Sequence, residues 1–172
     1  MLFTGTIRSN IDVEGLYEDK DIWDVLGYVG LTAYVSSLEQ KLDSPVSENG
    51  ENLSVGQRQL MCLCRAILLK PKILIMDEAT ASVDLDADKL IQISIKTHFA
   101  GTTVLSIAHR LNTVADFDRV VVLQNGELVE FDSPHSLLSD PKSLFSMLAD
   151  ATGSSNSKIL REIAYKKEIS KK

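Results

Sequence analysis

The sequence predicts an α/β fold built around parallel strands, and three observations carry that expectation. A capped helix over residues 55–69 runs almost directly into an uninterrupted apolar run, Ile73-Leu74-Ile75-Met76. A strand with no polar alternation is expected to be buried on both faces, as in a parallel sheet clothed by helices. Further along, helical and strand patterns alternate until an Asn125-Gly126 turn closes a terminal hairpin.

Residues 2–42 begin with a short Gly/Asn turn region and continue as an irregular helical pattern. Trp23, Leu26, Val29, Leu31, Tyr34, Val35 and Leu38 predict one or two short helices broken near Gly27 and Gly30. Residues 43–52, rich in Ser, Glu, Asn and Gly, read as a loop. In the helix that follows, Ser54 can accept from an orphan N–H while Gln57 reaches back to the Ser54 N–H, a capping box. Leu60, Leu63, Cys64, Ile67 and Leu68 then fall on one face, and Lys70-Pro71 ends the helix. After the strand at 73–77 the patterns predict a helix at 86–96, a strand at 102–108, a short helix at 111–115 and a strand at 119–123. Residues 127–131 return as the second arm of the hairpin, 133–149 are helical, and 152–157 read as a Gly/Ser/Asn linker into a basic tail. The strands read together as one side of an α/β sheet.

Composition excludes several classes. The chain has 172 residues and 44% apolar content, enough for a sizeable core. Its aliphatic runs are far shorter than the roughly 20 residues of a membrane span, and no secretory signal opens it, so a cytosolic chain or a cytosolic piece of a larger assembly is expected. The formal charge of −6 is uneven: residues 158–172 hold six Lys/Arg against two Glu, leaving −10 for residues 1–157. A body so acidic argues against a nucleic-acid partner. The tail reads as a solvated helix end or as a segment near an anionic leaflet. Cys62 and Cys64 have neither a helical-face spacing nor a second pair, and they read as small apolar residues in a reducing compartment.

Three places can carry chemistry. Asp77 and Glu78 end a strand where ligands gather in open α/β sheets; the aspartate can hold Mg2+ and the glutamate can orient water, or the pair is a solvated acidic turn. At Ser54-Val55-Gly56-Gln57, Gly56 lets a large anion approach the exposed N–H groups of a helix start. Ser54 there either caps the helix or donates its hydroxyl to a phosphate. His109, after the strand at 102–108, can contact a γ-phosphate or serve as a local cap. No G-x-x-x-x-G-K-[S/T] loop occurs in the sequence, so holding a triphosphate unaided is not expected.

Taken in order, Leu53-Ser54-Val55-Gly56-Gln57-Arg58-Gln59, the strand ending in Asp77-Glu78, Ala81-Ser82-Val83-Asp84 and Ile107-Ala108-His109-Arg110 resemble the signature, Walker B with catalytic glutamate, D-loop and H-loop of ABC transporter nucleotide-binding domains. The stretch Leu2-Phe3-Thr4-Gly5-Thr6-Ile7-Arg8-Ser9-Asn10-Ile11-Asp12 and the run from Val120 to Phe131 resemble the second cassette of the C-type, multidrug-resistance-associated exporters. The resemblance covers residues 1–150 and implies a partial P-loop NTPase (RecA-like) core with an ABC helical subdomain, the leading strands and Walker A region lying upstream of Met1. It divides the chain into 1–53 (helical subdomain and linker), 54–150 (signature helix and C-terminal half of the core) and 151–172 (linker and basic tail).

The resemblance also implies ATP and Mg2+ as cofactors, with Glu78 and His109 catalytic and Asp77 on the metal. Ser54, Val55, Gly56, Gln57 and Asp84 would serve the nucleotide interface with a second cassette, arranged head to tail. The transport ATPase would work at the cytosolic face of a vacuolar or plasma membrane, attached to transmembrane domains absent from this chain. Without Walker A the chain alone is expected to be inactive. A non-enzymatic module that modulates a complete cassette, and a nonfunctional truncated remnant, are the alternatives.

Overall fold

The computed structural model describes residues 1–77, 85–107 and 110–170, without the side chains of residues 85 and 86. Contacts divide the chain into two compact units, Met1–Ile107 and Ala108–Lys172.

The first unit opens with a short antiparallel pair, β1 (Gly5–Thr6) against β2 (Pro45–Val46). Between them run α1 (Ile7–Ile11), α2 (Asp19–Tyr28) and α3 (Thr32–Ser37). The Thr6 hydroxyl accepts from the Ser9 N–H and the Ser9 hydroxyl accepts from the Thr6 N–H, which fixes where α1 starts. Of the two glycines expected to interrupt the next pattern, Gly27 lies inside α2, while Gly30 breaks it with φ of +74°. A short 3-10 turn, Lys41–Asp43, leads into the predicted loop at 43–52, which contains β2 and a second 3-10 turn at Glu48–Gly50.

Helix α4 (Val55–Leu69) is the centre of this unit and has the predicted bounds. Its capping box forms, and it ends at Lys70, which adopts a left-handed conformation with its N–H on the Ala66 carbonyl. The face bearing Leu60, Leu63, Cys64, Ile67 and Leu68 is buried against Ile7, Ile11, Ile22 and Leu26. Through this face α4 packs on α1, α2 and the later α5 (Leu85–His98). At about 25 cal/mol per Å2 of apolar area removed from water, that burial is the main favourable term holding the helix in place.

Strands β3 (Ile73–Asp77) and β4 (Thr103–Ile107) are parallel, with Ile73 opposite Thr103 and Asp77 opposite Ile107, and α5 lies between them in sequence. The expectation that the apolar run is buried on both faces needs correction. Leu74, Met76 and Val104 pack toward the core, whereas Ile73, Ile75, Leu105 and Ile107 are each more than half exposed. An apolar run states a demand for two covering layers, and the described residues supply one.

The second unit contains α6 (Leu111–Val114), β5 (Val120–Gln124), β6 (Glu127–Asp132), α7 (Pro134–Ser139), α8 (Leu144–Ala151) and α9 (Ser154–Ile169). Asn125 and Gly126 take φ of +52° and +83° and close the predicted hairpin. Among the described residues β5 pairs with β6 alone, so the expected single sheet appears as a parallel pair and a separate hairpin. The immediate Asn-Gly reversal gives β5 a partner from its own neighbourhood.

The stretch 152–157, expected as a linker, instead starts a helix. Gly153, with φ of +97°, separates α8 from α9, and the Ser157 hydroxyl donates to Asp150 Oδ1 at 2.6 Å. Leu160 and Ala164, one turn apart on α9, are buried with Leu138, Phe145 and Ala149. Arg161 joins the three helices by donating to the Leu138 carbonyl, the Ser146 hydroxyl and Asp150. A polar composition concealed this narrow apolar stripe. No helix among the described residues is long and apolar enough to cross a membrane.

Candidate functional site

The start of α4 is built by its own sequence. Ser54 is extended, with φ of −64° and ψ of 160°, which turns its side chain back over the first helical turn. Its Oγ accepts from the Gln57 N–H at 3.1 Å, and Gln57 Oε1 accepts from the Ser54 N–H at 2.9 Å. The Arg58 N–H makes the first helical bond, to the Ser54 carbonyl at 3.0 Å. The N–H groups of Val55 and Gly56 therefore remain the orphan donors of the turn. Capping and phosphate donation at Ser54 would compete if both used the hydroxyl in the same role. In this geometry they do not, because capping uses the hydroxyl as an acceptor and leaves its O–H free to donate.

Asp77 lies elsewhere, exposed at the carboxyl end of β3. It lines a cleft of about 510 Å3 between α4 and β3, together with Asn49, Arg58, Gln59 and Cys62. Ser54, Val55, Gly56 and Gln57 are not among the residues lining this cleft, although Arg58 and Gln59, which follow them on α4, are. Glu78, Asp84 and His109 lie outside the described residues.

Among the described residues no three His, Cys, Asp or Glu side chains converge as a metal cage. An exposed carboxylate suits a cation such as Mg2+, which keeps several waters and takes one or two carboxylates together with phosphate oxygens. Asp77 fits that role as one ligand among several.

The sequence reading missed several residues that shape this region. Asn49 and Gly50 carry φ of +54° and +69°, and the Gly50 carbonyl accepts from Arg58 Nη1 at 3.4 Å. The Asn-Gly pair was the available signal, since these residues tolerate left-handed backbone. Asn10 is fully buried: its Oδ1 accepts from the Phe3 N–H, and its Nδ2 donates to the Phe3 and Thr6 carbonyls. Arg65 of α4 donates to the Asn10 carbonyl at 2.8 Å and the Met1 carbonyl at 3.2 Å, and lies over the Phe3 ring. No local pattern pairs residues that far apart. Cys64 is the inert cysteine, its thiol pKa pushed up by burial.

Residues 2–81 match the family model described as ABC transporter. A solved structure, of a bacterial Atm1-family ABC exporter with ATP bound, aligns with 89% of this chain and 27% of its own at a TM-score of 0.80 and 30% identity. The chain has the sequence and fold of an ABC-transporter nucleotide-binding domain. Within that class it is related to the C-type exporters. It is 51% identical over 168 residues to ABC transporter C family member 3 of Dictyostelium discoideum, which covers 98% of this chain and 12% of the relative. It is 52% identical over 151 residues to rat ATP-binding cassette sub-family C member 3, covering 88% of this chain and 10% of the relative. The metal resistance protein YCF1 of Saccharomyces cerevisiae is 52% identical over 153 residues, covering 88% and 10%. The cassette chain thus spans about a tenth of the length of these curated relatives.

Proposed function

We propose that this chain is the signature-bearing part of the second cassette of a C-type exporter, and that in the complete protein it couples ATP binding and hydrolysis to transport. The observation that carries this reading is the start of α4, where a satisfied capping box leaves the Ser54 O–H and the Val55 and Gly56 N–H groups outside the helix's own hydrogen bonds, with Ser54 exposed and Gly56 itself buried. A 15-residue helix adds its dipole to those donors, which together suit a phosphate. In a two-sided use of nucleotide, Ser54 and Gly56 address the γ-phosphate held by a partner cassette, arranged head to tail. Asp77 belongs to the chain's own nucleotide and holds one position on Mg2+, with Glu78 orienting the attacking water, His109 contacting the γ-phosphate and Asp84 linking the two sites. Bound Mg2+ offsets the charge on the transferring phosphoryl group. The 172 residues hold no Gly-rich Lys-Ser/Thr loop, so the phosphate grip comes from outside them. The working location is the cytosolic face of a vacuolar or plasma membrane, beside transmembrane domains.

The test mixes the chain with an intact C-type nucleotide-binding domain and measures association with and without Mg-ATP. Nucleotide-dependent complex formation, abolished by Gly56→Asp, is expected, with no ATP turnover by the chain alone. Association indifferent to nucleotide and to Gly56→Asp overturns the reading. A second reading, a non-enzymatic module that docks on a complete cassette, draws on the bare apolar face of Ile73, Ile75, Leu105 and Ile107. It predicts nucleotide-independent binding that Ile75→Glu removes.

A further inference from the structure

Away from the start of α4, the first unit contains a cleft of about 350 Å3 on the side where α4 and α5 end. One wall is a stripe of Tyr17, Asp21, Asp24 and Tyr28. The last three fall on one face of α2 because positions i, i+3 and i+7 align on a helix. Facing them are Lys70, at the C-terminal end of α4, and His98, at that of α5. The floor is apolar, formed by Val25 and Leu68, and the Tyr17 hydroxyl donates to the Leu68 carbonyl at 2.8 Å, fixing that ring. The Tyr28 and His98 rings stack at 4.3 Å with an interplanar angle of 24°, which ties α2 to α5 and leaves Tyr28 about half exposed.

Two independent features give this cleft a negative character. Asp21 and Asp24 are both exposed. Asp21 accepts a single hydrogen bond, from the Glu18 N–H, and Asp24 enters no ion pair among the described residues. Nearby Asp19 is different: Arg8 holds it in an ion pair and keeps its carboxyl below the usual range. In addition, helices of 15 and 14 residues both end at the cleft, and each brings the negative pole of its dipole. Lys70, with Lys96 and His98 in the last turn of α5, answers part of that charge, and the two exposed carboxylates are the groups that a further cation can reach.

We infer that this cleft is a binding site for an arginine side chain presented by another protein. The inference does not depend on the nucleotide reading above. A guanidinium is planar, always charged, able to lie on a tyrosine face and able to bond a carboxylate through two N–H groups, whereas a lysine ammonium offers only the charge. The volume sits at the small end of ligand pockets, about 300–1,000 Å3, which suits one long side chain rather than a larger organic molecule.

The test titrates the full chain, at low ionic strength, with blocked five-residue peptides of glycine carrying one central arginine, lysine, citrulline or glutamate. Calorimetry gives the affinity, and amide shifts of Tyr28 and His98 locate the site. The arginine peptide is expected to bind, the lysine peptide more weakly, and the neutral citrulline and the glutamate peptides not at all. Asp21→Asn with Asp24→Asn should weaken arginine binding about tenfold, from two partly screened ion pairs. Tyr28→Leu should weaken it further toward the lysine value, and Lys70→Gln should strengthen it about twofold by removing a like charge. If the double variant is poorly folded, Asp24→Asn alone decides, because Asp24 caps nothing. Absence of arginine binding, binding that survives the carboxylate changes, equal binding of the citrulline or glutamate peptide, or weaker binding in Lys70→Gln overturns the proposal.

Discussion

Ser54 carries two duties that different substitutions separate. As a cap, its Oγ satisfies the Gln57 N–H at 3.1 Å. Removing that acceptor in Ser54→Ala should cost about 1 kcal/mol, since the helix is otherwise held by its buried face and only its first turn loses a bond. For a unit the size of Met1–Ile107 this lowers the melting temperature by about 4 °C. As a phosphate donor, the same hydroxyl makes a charge-assisted hydrogen bond, and its loss should weaken nucleotide-dependent association by about tenfold or more. Ser54→Asp splits the two: a carboxylate is as good a cap as serine, so stability is retained, but it repels phosphate and has no proton to donate at neutral pH. Ser54→Thr keeps both functions. Melting followed by the fluorescence of Trp23, which packs against the same core, should rank serine, threonine and aspartate together above alanine. Association with an intact cassette in Mg-ATP should rank threonine above alanine and alanine above aspartate. If Ser54→Asp melts as low as Ser54→Ala, the capping argument fails; if it associates as well as wild type, the donor argument fails.

Asn10→Ala should destabilise the first unit by about 1–3 kcal/mol, because the Phe3 N–H and carbonyl lose their side-chain partner while the Thr6 carbonyl keeps the Ser9 hydroxyl, and hydrogen exchange should rise first in residues 1–11. Gly50→Ala should cost about 1–3 kcal/mol in denaturant titrations, since φ is +69° and a Cβ would stand 2.8 Å from Leu2 Cδ1 and 3.0 Å from Arg58 Cδ. Gly126→Ala, with open space around the added carbon, should show the backbone cost alone, about 1–2 kcal/mol. Asp150 is held below the ordinary carboxylate range by the Ser157 hydroxyl and Arg161. Its contribution is therefore present above the unfolded-state pKa, about 3.9, and is lost as pH falls through the lower folded value. Amide signals of α9 should lose dispersion in that acid window, and Asp150→Asn should remove this part of the pH dependence while lowering stability at neutral pH.

The sequence by itself determined the features whose causes lie within a few residues. Ser54 and Gln57 start α4, Lys70-Pro71 ends it, Asn125-Gly126 turns the hairpin, and the Ile73–Asp77 run makes a strand. Each follows from a local hydrogen bond or a backbone preference, which a linear reading can see. The order of motifs through residues 53–110 gave the family resemblance in the same way.

Tertiary structure decided what depends on residues distant in the chain. Arg65 and Asn10 are fifty-five positions apart, and the cleft at Tyr28 and His98 joins the ends of three helices. Which side of β3 is covered was likewise invisible, because a run of apolar residues is indifferent to its two faces and only the packing of α4 and α5 selects one. In α9 the polar surface outweighed the stripe of Leu160 and Ala164 in any composition average, and it was their burial on α7 and α8 that made the helix. Burial is a property of pairs of surfaces, so it becomes readable only when the second surface is in place.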